Sequence, residues 1–277
     1  MKRGKDYARQ IKSLFNRLKR QHGKPQPNEP REPIDELILA ILARDTTDAK
    51  AETALKYLLD EMVDHNDLRV TPWMDVAVSI APQVPDAEAK ARDIVDAMNG
   101  IYDRYNLVDL SALKGSPVRE AREALRSLPG VDEFAAARVV LFCLGGHALP
   151  IDGSTLGVLR HEKLVAPDAT LTEVQSFLER HIPAAEGVSF VMLMRRYVAT
   201  RAPQLAAAKK KAEAKAKAAS KRKSKKPAPD VDAPGAGARA AQSRSRKKPS
   251  ARKKAARTKK KRVTKRKGGS AKRSRKA

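Results

Sequence analysis

Apolar residues recur along residues 3–199 at intervals of three and four, the signature of helices that each bury one face. Tyr7, Ile11, Leu14, Phe15 and Leu18 keep this spacing among lysines and arginines, which predicts an amphipathic helix over 3–20. Pro25, Pro27, Pro30 and Pro33 follow, and predict an extended linker. The same periodicity then covers 34–43, 51–62, 72–80, 86–105, 117–128, 133–144, 154–164, 171–181 and 188–199. Thr47 or Asp48 is placed to cap the helix that carries Ala51, Leu55 and Leu58. No stretch sustains the alternation of a half-buried strand, and there is no internal repeat. The pattern predicts an all-α domain of about ten short helices with loops of ordinary length.

Periodicity stops near residue 205, where the charge balance changes. Residues 209–277 hold 30 Lys and Arg against three acids, a net of +27, while residues 1–208 stand at −1. That terminal stretch has no Leu, Ile, Met, Phe, Tyr or Trp, so it cannot bury enough apolar surface to offset the entropy of ordering. The expected division is an amphipathic helix and Pro-rich linker over 1–33, a helical domain over 34–205, and a Lys/Arg/Ala-rich disordered tail over 206–277. Residues 206–220, rich in Ala and Lys, have the composition to extend a helix. The one cysteine, Cys143, excludes an intrachain disulfide framework and any all-cysteine zinc or iron–sulfur site within the chain. The five histidines share no metal-ligand spacing, so no metal is expected. No apolar run approaches the ~20 residues of a membrane span. The basic N-terminus is not followed by a secretory apolar core. These features predict a soluble, monomeric, intracellular protein of the cytoplasm or nucleoid, or of the nucleus in a eukaryote.

The stretch from Leu125 to Arg160 carries the candidate chemistry. Leu125 and Leu128 end one apolar helix, Pro129-Gly130-Val131 makes a tight turn, and a second helix begins with Ala136, Val139, Val140 and Cys143 on its apolar side. Such a hairpin presents backbone N–H groups at the start of its second helix, which suits a phosphate, although Leu-Pro-Gly also joins helices with no ligand. Asp152 follows an apolar run and precedes Gly153-Ser154-Thr155, the place of a helix N-cap.

These residues, in this order, resemble the helix-hairpin-helix DNA glycosylase superfamily, of which endonuclease III is a member. The matching positions are Leu128-Pro129-Gly130-Val131, Ala136, Val139-Val140-Leu141 and Ile151-Asp152. Asp152 stands eighteen residues after Phe134, the family spacing between the lyase lysine and the catalytic aspartate. Ile41-Leu42-Ala43 with Thr47-Asp48 resembles the opening of the family's six-helix domain, and Phe190–Pro203 the helix before its iron–sulfur loop. The resemblance covers about residues 30–203. It implies a two-lobed helical fold, a cleft between the lobes, and removal of a flipped base from double-stranded DNA. Leu128, Pro129, Gly130 and Val131 would grip the backbone. Asp152 would be the carboxylate that stabilises the cationic sugar or activates its nucleophile.

Four departures narrow this expectation. Phe134 holds the place of the lyase lysine and cannot form a Schiff base, so strand cleavage by that route is lost. Monofunctional relatives, such as adenine-mismatch glycosylases, also lack that lysine. Asp132 replaces the second hairpin glycine and puts negative charge where a phosphate should sit. Ala199 stands where the first cluster cysteine would fall, so no iron–sulfur cofactor is expected. Asp45 or a neighbour stands where relatives often place a glutamine that fills the gap left by the flipped base. These substitutions keep a second class open: a non-catalytic DNA-binding protein on a decayed glycosylase fold. The tail resembles those of linker histones and their bacterial analogues in composition. Its clusters, with Lys221, Arg222, Lys223, Lys253, Lys254, Lys259, Lys260 and Lys261 among them, fit salt-sensitive, sequence-independent binding to DNA phosphates. RNA or ribosome association, resting on the tail alone, is a third reading.

Overall fold

The structure is a computed structural model that describes residues 4–25 and 31–223. Within it every regular element is helical. The helices are α1 (Gly4–His22), α2 (Pro33–Ala43), α3 (Asp48–Asp60), α4 (His65–Val70), α5 (Trp73–Ile80), α6 (Ala87–Tyr105), α7 (Val118–Arg126), α8 (Glu133–Phe142), α9 (Gly153–His161), α10 (Leu171–His181) and α11 (Gly187–Lys223). The periodic segments of the sequence all become helices. The short α4 has too few turns to show a period, and starts because the Asp64 side chain accepts from the Asn66 and Asp67 N–H groups at 2.7 and 2.9 Å.

Two apolar cores divide the helices into two lobes. The first lobe is built from α2 to α8 around α2, whose residues Leu37 to Ala43 are almost wholly buried. A helix apolar on every side can only be central. It packs on α8, equally buried from Phe134 to Leu141. The second lobe joins α9, α10 and α11 to α1. Phe15 of α1 meets Phe190 of α11 edge to face, with ring centres 5.3 Å apart. The boundary expected at residue 33 therefore separates segments of sequence and not of packing, because the apolar face of α1 is completed by α11.

The expected boundary at 205/206 falls inside α11. Residues 206–223, assigned to the tail by composition, continue α11 in helical conformation. Ala and Lys favour the helix when a packed segment has already nucleated it. The rest of the tail, with Lys253, Lys254, Lys259, Lys260 and Lys261 and its expected disorder, lies outside the described residues. Among the described residues, no helix is long and apolar enough to cross a membrane.

The hairpin between α7 and α8 is fixed by close approach to α6. Gly130 has φ +72°, and a Cβ there would lie 2.1 Å from the Asp93 carbonyl oxygen. Gly100 on α6 allows Pro129 to sit against the helix, since a Cβ would meet the proline Cδ at 2.4 Å. The hairpin is thus locked onto α6 from both sides.

Candidate active site

Asp152 ends the chain segment that crosses from the first lobe into α9. Its Oδ1 accepts the Thr155 N–H at 2.8 Å, so it is the N-cap of α9. It is 3% exposed, and its second oxygen is also engaged. Oδ2 accepts from Arg195 Nη1 at 2.9 Å and from the Asp45 N–H at 3.1 Å. The cap and the inter-lobe contact use the same carboxylate. A cleft of about 490 Å³ opens beside it, lined by Asp45, Lys50 and Val84 of the first lobe and Asp152, Arg195 and Ala199 of the second, among others. That volume falls within the roughly 300–1,000 Å³ of ligand pockets.

Arg195 was not singled out by the sequence, yet it organises this region. From α11 it donates through Nε to Asp48 Oδ1 at 3.0 Å and through Nη2 to the Ala43 and Thr46 carbonyls at 2.9 and 2.7 Å. Its guanidinium lies 5.4 Å from the ring centre of Phe134. One buried cation therefore bonds Asp152, Asp48 and the end of α2. A signal for it existed: Val191, Arg195, Val198 and Ala202 share one helical stripe, and a charge on an apolar stripe requires a buried partner. Asp48, a candidate cap by sequence, is instead the shared partner of Arg195 and Arg138. Burial pushes its carboxyl up, but the two guanidiniums outweigh this and hold it below the usual range. Arg138 also bonds Glu36 at 2.6 Å, where burial outweighs the arginine and raises the glutamate.

Lys90, on the buried stripe of α6 with Ile94, Ala97 and Ile101, supports the same loop from below. Its ammonium donates to the Leu42 and Arg44 carbonyls at 2.8 and 2.7 Å. Burial, aided by the Arg44 charge, lowers it to about 8 from the ordinary 10.5. Between those values only the unfolded chain keeps the proton, so Lys90 makes stability rise with pH across that window. Urea unfolding of wild type and Lys90→Met, compared between about pH 7.5 and 10.5, should differ by a rise on the order of 2–3 kcal/mol. The half-buried Cys143 thiol, pushed up by desolvation to about 12 from 9.0, opposes the trend in both proteins and cancels in the difference. A flat difference would remove Lys90 as the cause.

The hairpin residues divide. Leu128 and Val131 are buried in the first core, while Pro129 is exposed and Gly130 half-buried. The side chains of Leu128 and Val131 are thus packing residues, and the DNA-contact expectation for them reduces to their backbone. Asp132 caps α8 by accepting the Ala135 N–H at 2.8 Å. Its other oxygen takes Arg44 Nη1 at 2.9 Å, and Arg44 also bonds Asp93 at 2.6 Å. Asp132 thus has a counter-charge, an arginine from the end of α2 that it shares with Asp93. Phe134 is 4% exposed and belongs to the core. Asp45, at φ +53°, accepts the Ser154 N–H at 2.6 Å and ties the loop after α2 to the start of α9. Lys221, Arg222 and Lys223 lie in the last turn of α11.

No protein-family model matches the chain, and no curated protein matches it. Solved structures do. The chain is similar to a trapped endonuclease III–DNA covalent intermediate at 24% identity and TM-score 0.55, covering 69% of this chain and 86% of that one. It is similar to a thermostable thymine-DNA glycosylase at 19% identity and TM-score 0.52, covering 72% and 87%. It is also similar to the Clostridium acetobutylicum 8-oxoguanine glycosylase/lyase in complex with double-stranded DNA, at 16% identity and TM-score 0.55, covering 69% and 68%. The chain carries the helix-hairpin-helix DNA glycosylase fold, all-α and two-lobed. The iron–sulfur cluster implied by the endonuclease III resemblance does not fit these residues. The single cysteine, Cys143, lies at the end of α8 with its thiol against the Arg31 carbonyl, and Ala199 lines the cleft.

Proposed function

We propose that this protein is a DNA glycosylase of base-excision repair that removes a damaged or mispaired base from duplex DNA without cutting the strand. The observation that carries the reading is a buried carboxylate, Asp152, on the wall of an inter-lobe cleft of ligand size. In this reading the base leaves the stack and enters the cleft, and its bond to C1′ breaks with the electron pair departing on the base. Positive charge spreads over C1′ and the ring oxygen. The Asp152 carboxylate stabilises that charge, and water adds to C1′, giving an abasic sugar and the free base after proton transfer. Helix α9 holds the carboxylate in place through the Thr155 amide.

Phe134 supplies no amine, so strand cleavage through a Schiff base at that position is lost. Purified protein incubated with duplexes carrying different modified or mispaired bases should leave breaks only after alkali, and borohydride should trap no protein–DNA adduct. An adduct formed without alkali would refute the monofunctional reading.

One observation favours a second reading, a non-catalytic DNA-binding protein on the same fold. Asp152 is already paired with Arg195 at 2.9 Å, so its charge is largely neutralised before any sugar arrives. Absence of alkali-sensitive sites on every duplex, with duplex binding retained, would favour this second reading.

A further inference from the structure

We propose that the solvent face of α1 is a preformed contact for the sugar–phosphate backbone of a duplex, separate from the cleft and from the tail. The inference rests on the reading of the chain as a DNA-binding protein. Charge is unevenly divided within the near-neutral part of the sequence. Residues 4–24 carry seven Lys and Arg against Asp6 alone, a net of +6, while residues 25–208 carry 19 against 28, a net of −9. The helix is a basic island on an acidic body.

Helical spacing gathers those cations. Lys5, Arg9, Lys12 and Arg20 fall at i, i+4, i+7 and i+15, on one stripe opposite Ile11, Leu14, Phe15 and Leu18. All four are exposed, and none has a carboxylate partner among the described residues. Lys19, beside the stripe, is the α1 cation that does, bonding Glu186 at 2.6 Å. The stripe is about 22 Å long at 1.5 Å per residue, a length over which one strand of B-DNA presents about six phosphates.

This arrangement works against the helix that carries it. Like charges at i,i+3 and i,i+4, such as Lys5 with Arg9 and Arg9 with Lys12, repel, and Lys5 in the first turn opposes the helix dipole. A face kept only for solubility would mix signs, as Glu88–Arg92 and Arg119–Glu123 do elsewhere in the chain. Arg20, in the last turn, suits the dipole, but the mutually repelling Lys5, Arg9 and Lys12 have no such gain, and a local rule broken without one points to a ligand. That ligand is a repeating anion and not a membrane. An interfacial helix must offer lipid its apolar face, and here Ile11, Leu14, Phe15 and Leu18 are at most 5% exposed within the second core. The same packing fixes the helix backbone beneath the stripe, so binding has only the side chains left to order.

The test uses the full chain with Lys5, Arg9, Lys12 and Arg20 all changed to Gln. A matched control changes Lys56, Arg104, Lys114 and Arg119 to Gln. Each protein is titrated against a labelled, lesion-free duplex over a range of salt. Four lost phosphate contacts should make the slope of log affinity against log salt shallower by about 3–4, with the control unchanged. Base removal on a saturating duplex should stay the same, since the stripe is outside the cleft. A slope equal to wild type would overturn the proposal while leaving the DNA-binding reading intact. So would an equal loss in the control, which would reduce the effect to net charge. Binding of wild type to anionic lipid vesicles that vanishes in the stripe variant, with duplex binding unchanged, would reassign the face to lipid. A wild-type chain that binds no duplex at any salt would overturn both this proposal and the reading beneath it.

Discussion

Asp152→Asn is expected to lower base removal by about 10²–10³-fold while leaving duplex affinity nearly unchanged. The carboxamide keeps the size of the side chain and can still accept the Thr155 N–H, but it carries no charge to set against a cationic sugar. The substitution also has a structural cost, because Asp152 accepts from Arg195 and Asp45 through one oxygen. An Asn nitrogen at that place is a donor facing donors, and Arg195 loses a buried counter-charge. A stability loss of roughly 3 kcal/mol or more follows, the scale for breaking a buried pair from one side. Turnover must therefore be compared below the midpoint of the variant's own thermal transition. Single-turnover formation of abasic sites, read after alkali, is the measurement. A folded variant that removes bases at the wild-type rate would eliminate Asp152 as the catalytic carboxylate.

The second large effect is expected at Arg195→Met. The substitution leaves the Ala43 and Thr46 carbonyls without their donor and leaves Asp152 buried beside no cation. A loss of about 3–5 kcal/mol is expected in urea unfolding. Arg195→Lys should recover only part of it, since an ammonium cannot reach three directions with a planar fork. The two positions are coupled, so Arg195→Met combined with Asp152→Asn should be less damaging than the sum by about 1–3 kcal/mol. Strict additivity would mean that the pair at 2.9 Å contributes nothing of its own.

The sequence carried the first lobe well. The apolar periods of α2, α3 and α6 locate the helices, and Leu-Pro-Gly with Asp152 at its spacing locates the hairpin and the candidate carboxylate. Other features were illegible for a physical reason. Arg195 reaches Ala43 and Thr46 across some 150 positions, and no local pattern encodes that meeting. The charge itself, placed on an apolar stripe, was visible, but its partners were not. Asp132 read as a hazard for a phosphate, and only the fold brings Arg44 from the end of α2 to pair with it. Leu128 and Val131 belonged to a recognisable hairpin motif, and it is packing that turns their side chains inward.

The second lobe draws on both α1 and the helices after the hairpin, and this sets an order of assembly during synthesis. The first lobe, apart from its flanking loops, is one continuous stretch from α2 to α8 and can close once α8 has left the ribosome. Helix α1 emerges earlier and must wait, since Phe15 meets its partner Phe190 only 175 positions later. During that interval Ile11, Leu14, Phe15 and Leu18 have no native surface to cover them. A nascent chain halted before α11 therefore displays a sticky helix on an otherwise folded lobe, a form that chaperones bind and that self-associates if they do not.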